Sequence, residues 1–207
     1  MLELAKDFTL KDILHSLFQS QPPVDLASKL TRHACVAAIL RGTSYEQLEI
    51  AFIQRAFHPE DRWAGHLAFP GGIRETYDKT DLDAALRETK EEVGVDLTAD
   101  DLLGRLDDVQ ARKSGSMLDF YIRPFVFYTN RDFALTLDAS EVADFFWIPL
   151  KEIQNPQRQT HYKIKRDNGH DHHLPAIYLD RDPPLWGLTY MMVIDLLNRL
   201  RSLGPQN

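Results

Sequence analysis

Arg87 lies fifteen residues beyond the double glycine of Phe69-Pro70-Gly71-Gly72 and opens the run Arg87-Glu88-Thr89-Lys90-Glu91-Glu92-Val93-Gly94-Val95. Three glutamates so close in sequence read, by themselves, equally as a solvated acidic face, because like charges at i,i+4 on an exposed helix cost only about 0.2–0.5 kcal/mol. The glycine pair shifts that balance. Backbone without a Cβ can approach another group closely and turn its carbonyls inward, and hard divalent cations take several oxygen ligands of that kind. Glu88, Glu91, Glu92 and the Gly71 carbonyl are therefore candidate ligands for Mg²⁺ or Mn²⁺. Arg87 can pair with a neighbouring glutamate and fix its orientation.

These side chains need a helix to carry them. Asp81 is a candidate cap at its start and Gly94 a candidate close at its end, which predicts a helix over Leu82–Val93. At about 100° per residue, Leu82, Ala85, Leu86, Thr89 and Val93 fall on one face, and the three glutamates share a separate arc.

The pattern resembles the Nudix hydrolase family, whose box is a Gly, five residues, Glu, seven residues, then Arg-Glu, an apolar residue, any residue, Glu-Glu, any residue, Gly and an apolar residue. Arg87, Glu88, Glu91, Glu92, Gly94 and Val95 match it. Fourteen residues separate Gly72 from Arg87 where the box has thirteen, Asp78 stands for the first Glu, and Thr89 takes the apolar place after Glu88. The insertion and Phe-Pro-Gly-Gly are similar to the branch that includes coenzyme A pyrophosphatases. The resemblance implies an α/β/α sandwich with a mixed sheet and a loop-helix-loop catalytic box. It also implies a late acidic residue completing the site, for which Glu141 is the candidate, with Glu88 or Glu141 taking the proton from the attacking water. Arg55, Arg62, Arg74 and Arg112 are the candidate substrate-binding cations.

Length bounds the rest. A chain of 207 residues with 43% hydrophobic content fits one domain with decorations: a helical leader over residues 1–30 and a hydrolase domain over 31–207. A formal charge of −7 argues against a nucleic-acid partner, and a small phosphate ester neutralised by metal is compatible with it. The single Cys35, in an apolar run, allows no disulfide within the chain and suits a reducing cytoplasm. Residues 1–18 mix charges into their apolar positions unlike a signal peptide, and no stretch approaches the ~20 apolar residues of a membrane span. A homodimer is left open.

Along the chain, a helix capped by Thr9 over 9–18 should bury Ile13, Leu14 and Leu17 and end before Gln21-Pro22-Pro23. Strands are predicted over 33–40, 48–55, 66–69, 102–111, 119–128, 142–148, 160–165 and 174–179. A short helix follows Pro149, a turn lies at Asn168-Gly169, and a long helix runs over 186–203. The loop 112–116 reads as an exposed turn. His161, His170, His172 and His173 are better explained by a solvated loop tip than by zinc. Trp63, Trp147 and Trp186 suit either core or a nucleobase contact.

The reading that follows is hydrolysis of a diphosphate bond in a nucleoside diphosphate joined to another group, as in coenzyme A-like molecules, ADP-ribose or nucleotide sugars. The rival is a nucleotide-sensing module on the same fold without turnover, against which the intact Arg87-Glu88 and Glu91-Glu92 weigh. Asp61 stands where the resembled branch has an Arg, with Arg62 displaced by one. An Asp facing the 3′-phosphate would weaken any preference for coenzyme A.

Overall fold

The computed structural model describes residues 8–113, 116–165 and 171–203. In chain order the elements are α1 (Leu10–Ser20), β1 (His33–Arg41), β2 (Glu49–Arg55), β3 (Leu67–Ala68), β4 (Gly71–Ile73), α2 (Asp81–Val93), β5 (Leu102–Arg105), β6 (Val109–Lys113), β7 (Ser116–Tyr128), β8 (Val142–Pro149), α3 (Leu150–Ile153), β9 (Gln159–Lys165), β10 (Asp171–Ile177), β11 (Leu185–Trp186) and α4 (Gly187–Leu200). The Asn168-Gly169 turn, His170 and the middle of the 112–116 loop fall outside the described residues, although β9 and β10 do pair antiparallel.

β1 is the centre of a mixed sheet. Its residues alternate between two cores: Val36, Ala38 and Leu40 pack with Leu14, Phe18, Leu196 and Leu200 on one face, while Cys35, Ala37 and Ile39 pack with Ala84, Ala85 and Val93 on the other. A strand buried on both faces reads as an unbroken apolar run, as β1 does. Helices thus cover both faces, the α/β/α arrangement expected.

One edge of β1 runs parallel to β7, from His33↔Tyr121 to Leu40↔Tyr128. The other edge forks: Ala34–Val36 pair with β4 and Leu40–Arg41 with β2. β2 in turn pairs with β3 at Ile53 and Gln54 and with β8 along its outer edge. The segment Leu67–Ile73 therefore fills the gap where β1 and β2 part, and the Ala37 amide donates to the Pro70 carbonyl at 2.8 Å in that gap. Gly71 sits there with φ 143, a backbone region that favours glycine. A Cβ at Gly71 would strike the Cys35 carbonyl and the Val36 Cα.

Several local expectations are corrected. The cap of α2 is Thr80, in a capping box with Asp83; Asp81 is the first helical residue, its carboxylate turned to His33 and Arg123. The predicted strand over 102–111 breaks at Leu106–Asp108, because Leu106 is drawn to the Pro124 carbonyl and Asp108 is held by buried Arg123. In α1 the buried residues are Leu14 and Phe18, and Ile13 is exposed. The glycine segment is a paired strand as well as a turn, and Trp186 belongs to β11 rather than to the last helix.

Candidate active site

α2 carries the acidic cluster, and its ends are well specified. Thr80 and Asp83 satisfy the first free amides, and Gly94, in the left-handed region at φ 74, closes the last turn onto the Lys90 carbonyl. Asp81 at the helix start takes Arg123 at 2.5 Å and also pairs with Arg74 at 3.3 Å. Arg123 joins Asp108 and Asp25 to the same group, so the helix is anchored to β7 and to the segment before β1.

The three glutamates of α2 do not share one environment. Glu92 is 3% exposed, and its Oε2 accepts the Gly71 amide at 2.8 Å. Glu88 lies directly against Gly72: a Cβ there would fall 2.5–2.7 Å from its carboxyl atoms. Glu91 turns outward and meets Arg87 at 2.9 Å. The segment after β7 binds the end of the helix, the Asp138 amide donating to the Glu92 carbonyl and the Thr136 amide to the Val93 carbonyl. The amphipathic arc read from periodicity does not register the contact of Glu92 with Gly71.

Arg87 organises the cluster. Its guanidinium grips buried Asp78 through Nε and Nη2, both at 2.9 Å, and its Nη1 reaches Glu88 and Glu91 at 2.9 Å each. Asp78 also accepts the Glu75 amide. The Arg87 bond holds the Asp78 carboxyl below the ordinary carboxylate range, and Asp78 foremost raises Arg87. Asp78 thus acts as the brace of Arg87 rather than as one more carboxylate facing the site.

Burial pushes Glu92 up to about 8, against the opposing Gly71 amide, with the charges of Glu141 and Glu88 adding to the rise. Glu88 is raised too, by burial first and with Glu91 and Glu141 contributing. Glu141 precedes β8 and is exposed; its carbonyl accepts the Ala56 amide at 2.7 Å, next to the end of β2. Glu88, Glu92 and Glu141 therefore act electrostatically on one another, and the charge of Arg55 also acts on Glu92.

The remaining candidates separate. Arg55 donates to Asp61 at 2.8 and 3.2 Å. Asp61 is consequently no free negative charge, and repulsion of a 3′-phosphate cannot rest on it. Burial raises its carboxyl, but the Trp63 amide and Arg55 outweigh that and lower it overall. Arg62 is exposed. Arg74, exposed, is bonded to the carbonyls of Asp78 and Lys79 and paired with Asp81, and so braces the box loop. Arg112 stands opposite Met117 in the β6–β7 hairpin, on an exposed strand end. His161, His172 and His173 lie in the β9–β10 ladder.

Among the described residues, His33, Cys35 and Asp81 place ligand atoms within 4.8 Å of one another. Asp81 is already engaged by Arg123 and Arg74, and burial pushes the Cys35 thiol up to about 12, so this group is an ion-pair network around a buried thiol. The carboxylates of Glu88, Glu92 and Glu141 differ in character: they bear on one another electrostatically, Glu92 is deeply buried against the Gly71 amide, and Glu88 is paired with Arg87. That donor set suits a hard divalent cation.

This geometry agrees with the comparisons to known proteins. The NUDIX domain family matches residues 31–167, and the chain belongs to the Nudix family of hydrolases. A "Nudix hydrolase NudL" of Enterobacter sp. (strain 638), itself uncharacterised, is 30% identical over 190 residues, covering 92% of this chain and 94% of that one. An uncharacterised protein of Schizosaccharomyces pombe, C14C4.10c, is 40% identical over 118 residues, which span 56% of this chain and 36% of that much longer relative. A MutT/nudix family protein from Enterococcus faecalis superposes with a TM-score of 0.56 at 17% identity over 95% of this chain and 71% of that chain, a likeness of fold. No helix of the described residues is long and apolar enough to cross a membrane.

Proposed function

We propose that this chain hydrolyses the diphosphate bond of a nucleoside diphosphate joined to another group, with Mg²⁺ or Mn²⁺ held by Glu88 and Glu92, by the Gly71 carbonyl, and by Glu91 or Glu141. A divalent cation held by these residues would neutralise charge growing on the phosphoryl oxygens. The protein's own share is positioning and charge, since phosphoryl transfer asks for little covalent chemistry from side chains. Gly71 and Gly72 bring backbone against the two inward glutamates. Arg87, braced by Asp78, fixes Glu88. Glu141, whose charge acts on Glu88 and Glu92, or Glu88 itself takes the proton from the attacking water. Arg55 faces the cluster as a phosphate contact.

The observation that carries this reading is the burial of Glu92 against the Gly71 amide within the fields of Glu88 and Glu141, an arrangement that disfavours the ionised carboxylate and that a bound cation would compensate. Family membership supports the hydrolase class, and the net charge of −7 fits a small phosphate ester better than a nucleic acid. A cytoplasmic setting fits the buried free thiol of Cys35. The test is release of products from coenzyme A, its 3′-dephospho form, ADP-ribose and nucleotide sugars with Mg²⁺ or Mn²⁺. Metal-dependent cleavage of at least one supports the reading; saturable binding of all without cleavage would overturn it in favour of a sensing module.

A further inference from the structure

Around the loop that leads into β3, four aromatic rings from separate parts of the chain come together. Tyr162 of β9 and Trp186 of β11 lie 4.5 Å apart. Trp186 donates its indole N–H to His66 Nδ1 at 3.1 Å. Trp63 closes the group at 5.7 Å from Trp186 and 5.5 Å from His66. Tyr162, Trp186 and His66 join the separate three-stranded sheet β11-β10-β9 to the loop before β3. Trp63 is different: it is 50% exposed, an aromatic face left open beside exposed Arg62.

The position of that face is set by Asp61. One carboxyl oxygen of Asp61 accepts the Arg55 guanidinium and the other accepts the Trp63 amide at 2.9 Å. The backbone of Arg55 is also laced to the same loop, its amide donating to the His66 carbonyl and its carbonyl accepting the Gly65 amide. Asp61 thereby ties the Arg55 guanidinium to the backbone of Trp63, and the charge of Arg55 acts on Glu92.

We propose that Trp63, backed by Trp186 and Tyr162, is the stacking face for the planar heteroaromatic base of the substrate, and that Asp61 is the positioning residue fixing this face relative to Arg55. The proposal rests on the diphosphate reading above, because it takes the cluster end of Arg55 as the phosphate end. The ligand class follows from the chemistry of the surface. Stacking on an indole is worth about 1–3 kcal/mol per base and tolerates any base, because every base has a π face. The proposal therefore concerns a heteroaromatic base as such and leaves its identity unrestricted.

The test uses AMP and ribose 5-phosphate as probes on the metal-free full chain, followed by saturation-transfer NMR, with wild type, Trp63→Ala, Trp63→Tyr and Asp61→Asn. Saturation should reach the base protons of AMP in wild type, Trp63→Ala should weaken AMP binding about 10-fold, and Trp63→Tyr should restore most of it. Ribose 5-phosphate binding should be the same in wild type and Trp63→Ala. With metal, Trp63→Ala should raise KM for nucleoside substrates about 10-fold with kcat within about twofold, and Asp61→Asn should weaken AMP and ribose 5-phosphate together. Equal AMP binding by wild type and Trp63→Ala, with both folded by circular dichroism, would overturn the proposal and leave the hydrolase reading standing. Ring-dependent AMP binding without cleavage of any diphosphate would do the reverse.

Discussion

The amide of Gly71 donates to Glu92 Oε2 at 2.8 Å, tying the strand in the fork of the sheet to the one glutamate of α2 that is buried. Glycine backbone and acidic helix are thus a single unit, and a change in either is felt in the other.

Glu92→Gln should abolish turnover while leaving the fold intact, since the amide keeps the shape of the side chain and removes its charge from the proposed cation site. A steady-state assay with Mg²⁺ measures this. Retention of more than about a tenth of the wild-type rate, a loss below ~1.4 kcal/mol, would refute the ligand role.

The same residue makes stability depend on pH. Burial holds folded Glu92 at about 8 against an ordinary 4.5, so between those values the folded state keeps a proton that the unfolded state has released. Stability in chelator should therefore fall as pH rises from about 4.5 to about 8. Glu92→Gln cannot ionise and escapes that loss. It should be more stable than wild type by up to about 2–4 kcal/mol above pH ~8, with the difference closing near pH ~4.5. Denaturant titrations across that range check it, and curves for the two proteins that stay parallel would contradict it.

Gly71→Ala and Gly72→Ala should fail differently. At Gly71 the new Cβ meets backbone at a φ of 143, and a loss of about 2–4 kcal/mol or failure to fold is expected. At Gly72 its nearest contacts are the Glu88 carboxyl atoms, the end of a flexible side chain that can swing away. There stability should change by under ~1 kcal/mol while turnover drops about 100-fold through misplacement of Glu88. Thermal melts and rates on both variants distinguish the two mechanisms.

Arg87→Ala strands buried Asp78 and should destabilise by about 3–5 kcal/mol at neutral pH. Arg87→Lys should recover only part of this, because an ammonium cannot form the fork-to-fork pair. The Asp78 carboxyl is held below its ordinary range chiefly by Arg87, so the wild-type advantage is present above about pH 4 and disappears as pH falls through the lowered value. An advantage that persists at pH ~2 would show that another interaction is responsible.

Preference for intact coenzyme A over its 3′-dephospho form should be weak. Arg55 is held by Asp61 and assigned to the diphosphate, so the cation of that loop left for a 3′-phosphate is exposed Arg62, which nothing among the described residues orders toward it. Comparison of kcat/KM for the two compounds decides it: a large preference for the intact form would show that Arg62 or another cation supplies the contact.

Much of this protein is written in local sequence. The spacing of Gly72, Arg87, Glu88, Glu91 and Glu92 identifies the box, the apolar run through β1 announces a strand buried on both faces, and Gly94 marks the helix end, because each depends on residues within a few turns or one strand. Helix periodicity already turns Glu91 and Glu92 about 100° apart, but the tertiary structure alone decided that Glu92 is buried, by laying the strand that bears the Gly71 amide against it. It alone paired Asp61 with Arg55, reversing the meaning of an acidic residue that looked repulsive, and it alone gathered Trp63, His66, Tyr162 and Trp186. Burial, and the field one charge exerts on another, depend on distance in space, and for these residues that distance is set by strands far apart in the chain.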